Sequence, residues 1–138
     1  MLTHSAFDYR FKTLYKQLKE NLSKNYQELI EEQNAKLREF VSVSYKNVPY
    51  YHQIFNDLHI RPGDIHSRKE LEYLPILTKQ KIRDNFKDII AKNLSSQRYF
   101  ENRTSGSTGD PLRYFYSKYD RLIGGCLLYR GWSFGGYE

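Results

Sequence analysis

At 138 residues and 16.6 kDa the chain has the length of one modest domain, which excludes a large multi-domain enzyme within these residues. Lys and Arg number 22 against 16 Asp and Glu, and the resulting +6 is spread evenly, +2 in each of residues 1–46, 47–97 and 98–138. An even excess makes no basic footprint, so no nucleic-acid partner is expected, and the single cysteine excludes an internal disulfide framework.

The first third reads as helix. Phe7, Phe11, Leu14, Tyr15, Leu18 and Leu22 recur at helical spacing, followed by Tyr26, Leu29, Ile30, Leu37, Phe40, Val41 and Tyr45. No Gly or Pro interrupts residues 1–47, so one long helix or two successive helices fit equally well. The apolar stripe requires a surface to cover it. Asn47-Val48-Pro49 ends this region, because the residue before a proline is pushed out of the α basin. Tyr50–Leu58 predicts a short helix with Ile54, Phe55 and Leu58 facing inward, and His59–Asp64 a loop. Ser67-Arg68-Lys69-Glu70 has capping-box spacing and predicts a helix that stops near Leu74-Pro75. Thr78 caps the next helix, whose apolar face is Ile82, Phe86, Ile89 and Ile90. On that helix Lys79, Arg83 and Lys87 share a face, the one basic stripe in the sequence.

The character changes after about residue 97. Arg98–Arg103 and Leu112–Tyr116 read as two strands separated by small and hydroxyl residues. Ser117-Lys118-Tyr119-Asp120 then caps a helix carrying Leu122, Ile123, Cys126, Leu127 and Tyr129. The expected class is α+β, with a mainly helical region over 1–97 and a second region over 98–138 of strand, loop, strand and helix. Thirteen tyrosines and eight phenylalanines supply bulk for a core. The N-terminus leads into a charged amphipathic pattern rather than a signal peptide, and no apolar stretch approaches the ~20 residues that cross a bilayer. With one cysteine, the expected location is the cytoplasm.

The loop Thr104-Ser105-Gly106-Ser107-Thr108-Gly109-Asp110-Pro111 carries the chemistry. Its glycines allow close backbone approach to a ligand, consecutive amides in such a turn form an anion-binding nest, and four hydroxyls add donors. It is not a Walker A loop, because the Gly-Lys-Ser/Thr ending is missing. On composition alone a polar hairpin connection fits as well. Other candidates are weaker. His52, His59 and His66 recur every seven residues, but Pro62 and Gly63 break any helix that would align them as metal ligands. Cys126 sits on an apolar face with no base beside it, which favours packing. Tyr50 and Tyr51 are packing residues first and groove-lining candidates second. No catalytic side chain is assigned.

Thr104–Gly109 reads TSGSTG and is followed by Pro111-Leu112, which resembles the phosphate-binding signature of the adenylate-forming superfamily of acyl- and aryl-CoA ligases. Val48-Pro49-Tyr50-Tyr51, Asp64-Ile65 with Ser67, Leu74–Lys79 and Asn85-Phe86 occur in the order and spacing of its phenylacetate–CoA ligase-like branch. That branch includes CapK-type proteins associated with capsular polysaccharide biosynthesis. Trp132 and Gly135-Gly136-Tyr137-Glu138 are similar to the stretch that follows the loop there.

The resemblance implies a two-step reaction. A carboxylic acid attacks the α-phosphate of Mg-ATP to give an acyl-adenylate and pyrophosphate, and a nucleophile, usually coenzyme A, displaces AMP. Thr104, Ser105, Gly106, Ser107, Thr108 and Gly109 inherit contact with the β- and γ-phosphates. Asp110 is a departure, a carboxylate beside a polyphosphate. The resemblance further implies an N-terminal portion of an α/β parent several times longer, whose remainder carries the adenine and acyl pockets. The expectation is therefore a fragment that is inactive alone, exposes apolar edges, and associates with itself or with a complementing C-terminal subunit. The competing class is a non-catalytic basic helical module that binds anionic lipid or nucleic acid.

Overall fold

The computed structural model describes residues 4–96, 98–105 and 111–136, with the backbone alone for residues 4–8, so the Phe7 side chain and the Tyr137-Glu138 end of the family pattern lie outside the described residues. Over the described residues the chain is mostly helical with one small antiparallel sheet, which agrees with a mixed α+β class. No described helix is long and apolar enough to cross a membrane.

The N-terminal region divides into two helices, α1 (His4–Glu20) and α2 (Tyr26–Asn47). The division needs neither Gly nor Pro. Ser23 Oγ donates to the Glu20 carbonyl at 2.7 Å, and the Asn25 side chain accepts from the Glu28 amide at 2.9 Å. Glu28 returns the bond to the Asn25 amide at 2.9 Å, completing a capping box. These short polar side chains satisfy backbone groups that a continuous helix would otherwise bond internally. Lys24, at the junction, pairs with Glu32 in the second turn of α2 and holds that carboxyl below the usual range.

Val48 is extended (φ −110°, ψ 107°), and α3 (Pro49–Asp57) starts on the proline at its first position. Its C-terminus is a Schellman motif. Ile60 N donates to Phe55 O at 3.0 Å, and His59 N donates to Asn56 O at 3.1 Å. His59 takes the left-handed position with φ 54°, where glycine is usual. The motif sends Leu58 outward (43% exposed) and Ile60 inward, so Ile60 fills the inward place expected of Leu58. His59→Gly should relieve the left-handed cost and raise stability by at most about 1 kcal/mol, since glycine also widens the unfolded ensemble. His59→Ala should give no such gain. Thermal melting of the two variants checks this.

Val41, Phe55 and Ile65 form a buried cluster joining α2, α3 and the loop beyond, with Leu37, Tyr45, Ile60 and Leu74 packed around it. Polar bonds frame the cluster. The Tyr45 ring stacks on His52 at 4.5 Å, its hydroxyl accepts from Arg61 Nη1 at 3.0 Å, and Arg38 Nη1 donates to the His66 carbonyl at 3.2 Å. The capping box at Ser67 forms, and its hydrogen bonds lower the Glu70 pKa. It opens a 3-10 turn (Arg68–Tyr73) rather than an α-helix. Leu74, held extended before Pro75, ends the segment before a second α turn can propagate.

The helix capped by Thr78 is also interrupted. Asn85 (φ −112°, ψ 23°) separates α4 (Lys79–Asp84) from α5 (Phe86–Ile89), and its side-chain amide donates to the Lys81 carbonyl at 2.9 Å. Lys79 and Arg83 keep a common face four residues apart, but Lys87 belongs to a different helix, so the expected three-residue basic stripe is broken.

Residues 99–133 supply β1 (Tyr99–Arg103), β2 (Arg113–Ser117) and α6 (Lys118–Ser133). Ser117 and Asp120 form the capping box predicted for α6. One side of α6 packs on α1. Leu122 and Cys126 are buried there, the Cys126 thiol lies 3.7 Å from the Phe11 carbonyl, and Tyr129 presents an edge contact to both Phe11 and Tyr15 at 5.6 Å. Arg130 Nη1 donates to the Leu18 carbonyl at 3.4 Å. The opposite side is apolar too. Leu128 and Trp132 are more than half exposed and Leu127 is exposed as well, whereas Tyr129, though partly exposed, packs its ring on α1.

Candidate functional site

The hydroxyl- and glycine-rich stretch joins the two strands of the hairpin. Its ladder runs from Tyr99↔Ser117 to Arg103↔Arg113, and the mouth closes one step further. Thr104 N donates to the Leu112 carbonyl at 2.9 Å, and Leu112 N donates to Thr104 Oγ1 at 2.9 Å. The side-chain bond supplies an acceptor for the Leu112 amide at the point where the regular ladder ends. The mouth is therefore tied by one backbone and one side-chain bond, both from Thr104.

Alternation along the strands sorts the two faces. Tyr99, Glu101, Arg113 and Phe115 lie on one. There the Arg113 guanidinium grips the Glu101 carboxylate with two bonds of 2.7 and 2.9 Å. The same guanidinium sits 4.7 Å above the Phe86 ring of α5. Phe115 touches Phe86 at 6.1 Å and takes the edge of Tyr99 at 5.2 Å. Arg113 thus braces the hairpin across its strands and onto α5 together. The Glu101 carboxyl is held below the usual range, chiefly by its hydrogen bond from Arg113, and Arg113 is raised by the same bond.

A groove of about 320 Å³ runs beneath this brace, floored by Ile82, Phe86, Pro111 and Leu112 and edged by Arg83 and Arg113. The other face of the hairpin carries Phe100 stacked on Tyr116 at 5.5 Å. It opens on a shallow hollow lined by Asn102, Tyr114, Tyr116, Asp120 and Arg121.

Of the residues singled out in sequence, Thr104 and Ser105 stand at the mouth of the hairpin, both exposed. Gly106, Ser107, Thr108 and Gly109, with the neighbouring Asp110, lie outside the described residues. Tyr50 lines a groove of about 410 Å³ between α3 and α5 with Gln53, Asp57 and Asp88. Tyr51 is half-buried, and burial raises its hydroxyl pKa. Cys126 is fully buried, and burial pushes its thiol up, away from nucleophilic character. Among the described residues no three His, Cys, Asp or Glu side chains gather as a metal cluster.

Glu101, Arg113 and Phe86 were not legible as a unit. Once the strand register is known, Glu101 and Arg113 fall on one face two steps out of line, which is the diagonal that long side chains span. No sequence spacing announces that Phe86, from a separate helix, lies under them. No known family's sequence model matches the chain, and no curated protein matches it.

Proposed function

We propose that the chain is the N-terminal portion of an ATP-dependent adenylate-forming ligase of the phenylacetate–CoA ligase-like, CapK-type branch. Such an enzyme activates a carboxylic acid as an acyl-adenylate for transfer to coenzyme A, here in the cytoplasm and in connection with polysaccharide biosynthesis. The ordered set of motifs from Val48-Pro49 to Gly109 supports the reading. The described frame suits such a loop: the strands that flank TSGSTG are tied at Thr104 and Leu112 and braced on α5 by Arg113. A phosphate loop works by presenting donors from a fixed frame, so that little ordering remains to be done on binding.

The donor set suits a polyphosphate. The Thr104 hydroxyl accepts from Leu112 and keeps its own proton to donate, and the exposed Ser105 offers a second hydroxyl. ATP with Mg²⁺ is the proposed co-substrate, and the loop's task is to orient the phosphates while the acid attacks. No described side chain is assigned to the chemical step, so the 138 residues alone are expected to be inactive in pyrophosphate exchange across a panel of carboxylic acids. Clear turnover by this chain would overturn the fragment reading. The loop is tested separately by hydrogen exchange. Mg-ATP should slow exchange over residues 104–110. No slowing, together with steeply salt-dependent binding to anionic vesicles or RNA, would favour the basic helical module.

A further inference from the structure

We propose that Thr104 is a positioning residue that latches the mouth of the loop, with Glu101, Arg113 and Phe86 as its brace. Its bearing on phosphate binding rests on the reading above; the latch does not.

Two bonds join Thr104 to Leu112, one through the backbone N–H and one through Oγ1. The bond from the Leu112 amide fixes where the Thr104 oxygen stands, and moving that oxygen away would leave the amide without its partner, while the hydroxyl proton stays free to donate. The brace acts one step down the ladder. Glu101 meets Arg113 through a two-bonded fork, and Arg113 covers the ring of Phe86. A guanidinium held by a carboxylate on one edge and an aromatic ring on its face has little freedom left, and lysine reproduces neither contact. An isolated two-stranded hairpin is marginal in water, so its register at the open end depends on such ties. Together they set where the strands diverge.

The closing experiment uses the full chain and begins without any phosphate compound. Amide exchange at Leu112 is followed by NMR in the wild type, Thr104→Ser and Thr104→Val, with the Ile60 amide of the α3 cap as internal reference. Thr104→Val removes the acceptor while keeping the shape, and should speed Leu112 exchange about tenfold, the loss of one hydrogen bond of ordinary net strength. Thr104→Ser should stay close to wild type. Arg113→Lys should loosen Leu112 in the same direction, though Thr104 is untouched. Unchanged Leu112 exchange in both Thr104→Val and Arg113→Lys would overturn the latch.

Inorganic tripolyphosphate is then titrated into each variant. Weakening in Thr104→Val and in Arg113→Lys, with Thr104→Ser near wild type, supports action through the mouth. Weakening in Thr104→Val with unchanged Leu112 exchange would make Thr104 a direct contact and overturn the proposal. If the wild type binds no tripolyphosphate, the phosphate reading fails while the exchange data still decide the latch.

Discussion

Replacing Phe55 with alanine is expected to cost about 3–5 kcal/mol, the usual range for an aromatic removed from a core. Phe55 is 2% exposed, and with Val41 and Ile65 it makes up the whole fully buried part of its cluster. The surrounding Leu37, Tyr45, Ile60 and Leu74 are only partly buried, so they bring no surplus of packing to close the void. Domains of this size are stable by roughly 5–15 kcal/mol in all, so the loss is a large fraction of the total. Urea denaturation followed by circular dichroism measures it. A loss below about 1 kcal/mol would mean that the cluster collapses freely around the gap and does not hold α2, α3 and Ile65 in fixed register.

The second large effect concerns the α1–α6 contact. Native Cys126 should react with a maleimide or disulfide reagent on the order of a hundredfold more slowly than an exposed thiol, because reaction must wait for opening of the contact. The thiol is fully buried beside the Phe11 carbonyl, and burial raises its pKa. Leu122→Ala removes its buried neighbour one turn earlier on α6 and should abolish most of that protection, at a cost of about 2–5 kcal/mol. Cys126 then reports on the α1–α6 contact specifically. Phe55→Ala at low denaturant should leave the labelling rate near wild type, since the two buried groups share no residue. Equal acceleration by both substitutions would show instead that the two clusters open as one cooperative unit.

The helices and strands were largely legible because their signals are local. Ser67, Thr78 and Ser117 all cap segments as their spacing predicts, and the two strands fall within a residue of their expected ends. The errors share one cause: periodicity reports which residues want cover and says nothing of what is there to provide it. Leu58 yields its inward place to Ile60 because the left-handed turn at His59, carried by a residue other than glycine, redirects the chain. Leu127, Leu128 and Trp132 stand outward because one helix cannot cover both sides of α6. Lys87 leaves the basic stripe because the backbone at Asn85 departs from helical values and separates α4 from α5. At the candidate site the residue types of the loop were evident, but its frame was not. Glu101, Arg113 and Phe86 come from two strands and a helix, and their meeting depends on tertiary contact.

The α1–α6 pairing also bears on the order of assembly. Cys126 and Phe11 are 115 residues apart, whereas the Val41, Phe55 and Ile65 cluster closes within a short segment. Closing a loop costs entropy that grows with its length, so the local cluster is expected to form first and α1 and α6 to meet last. During synthesis the apolar stripe of α1 leaves the ribosome long before α6 exists to cover it. The interval between the two is a period in which α1 depends on transient cover, and slowing elongation between residues 20 and 118 would lengthen it.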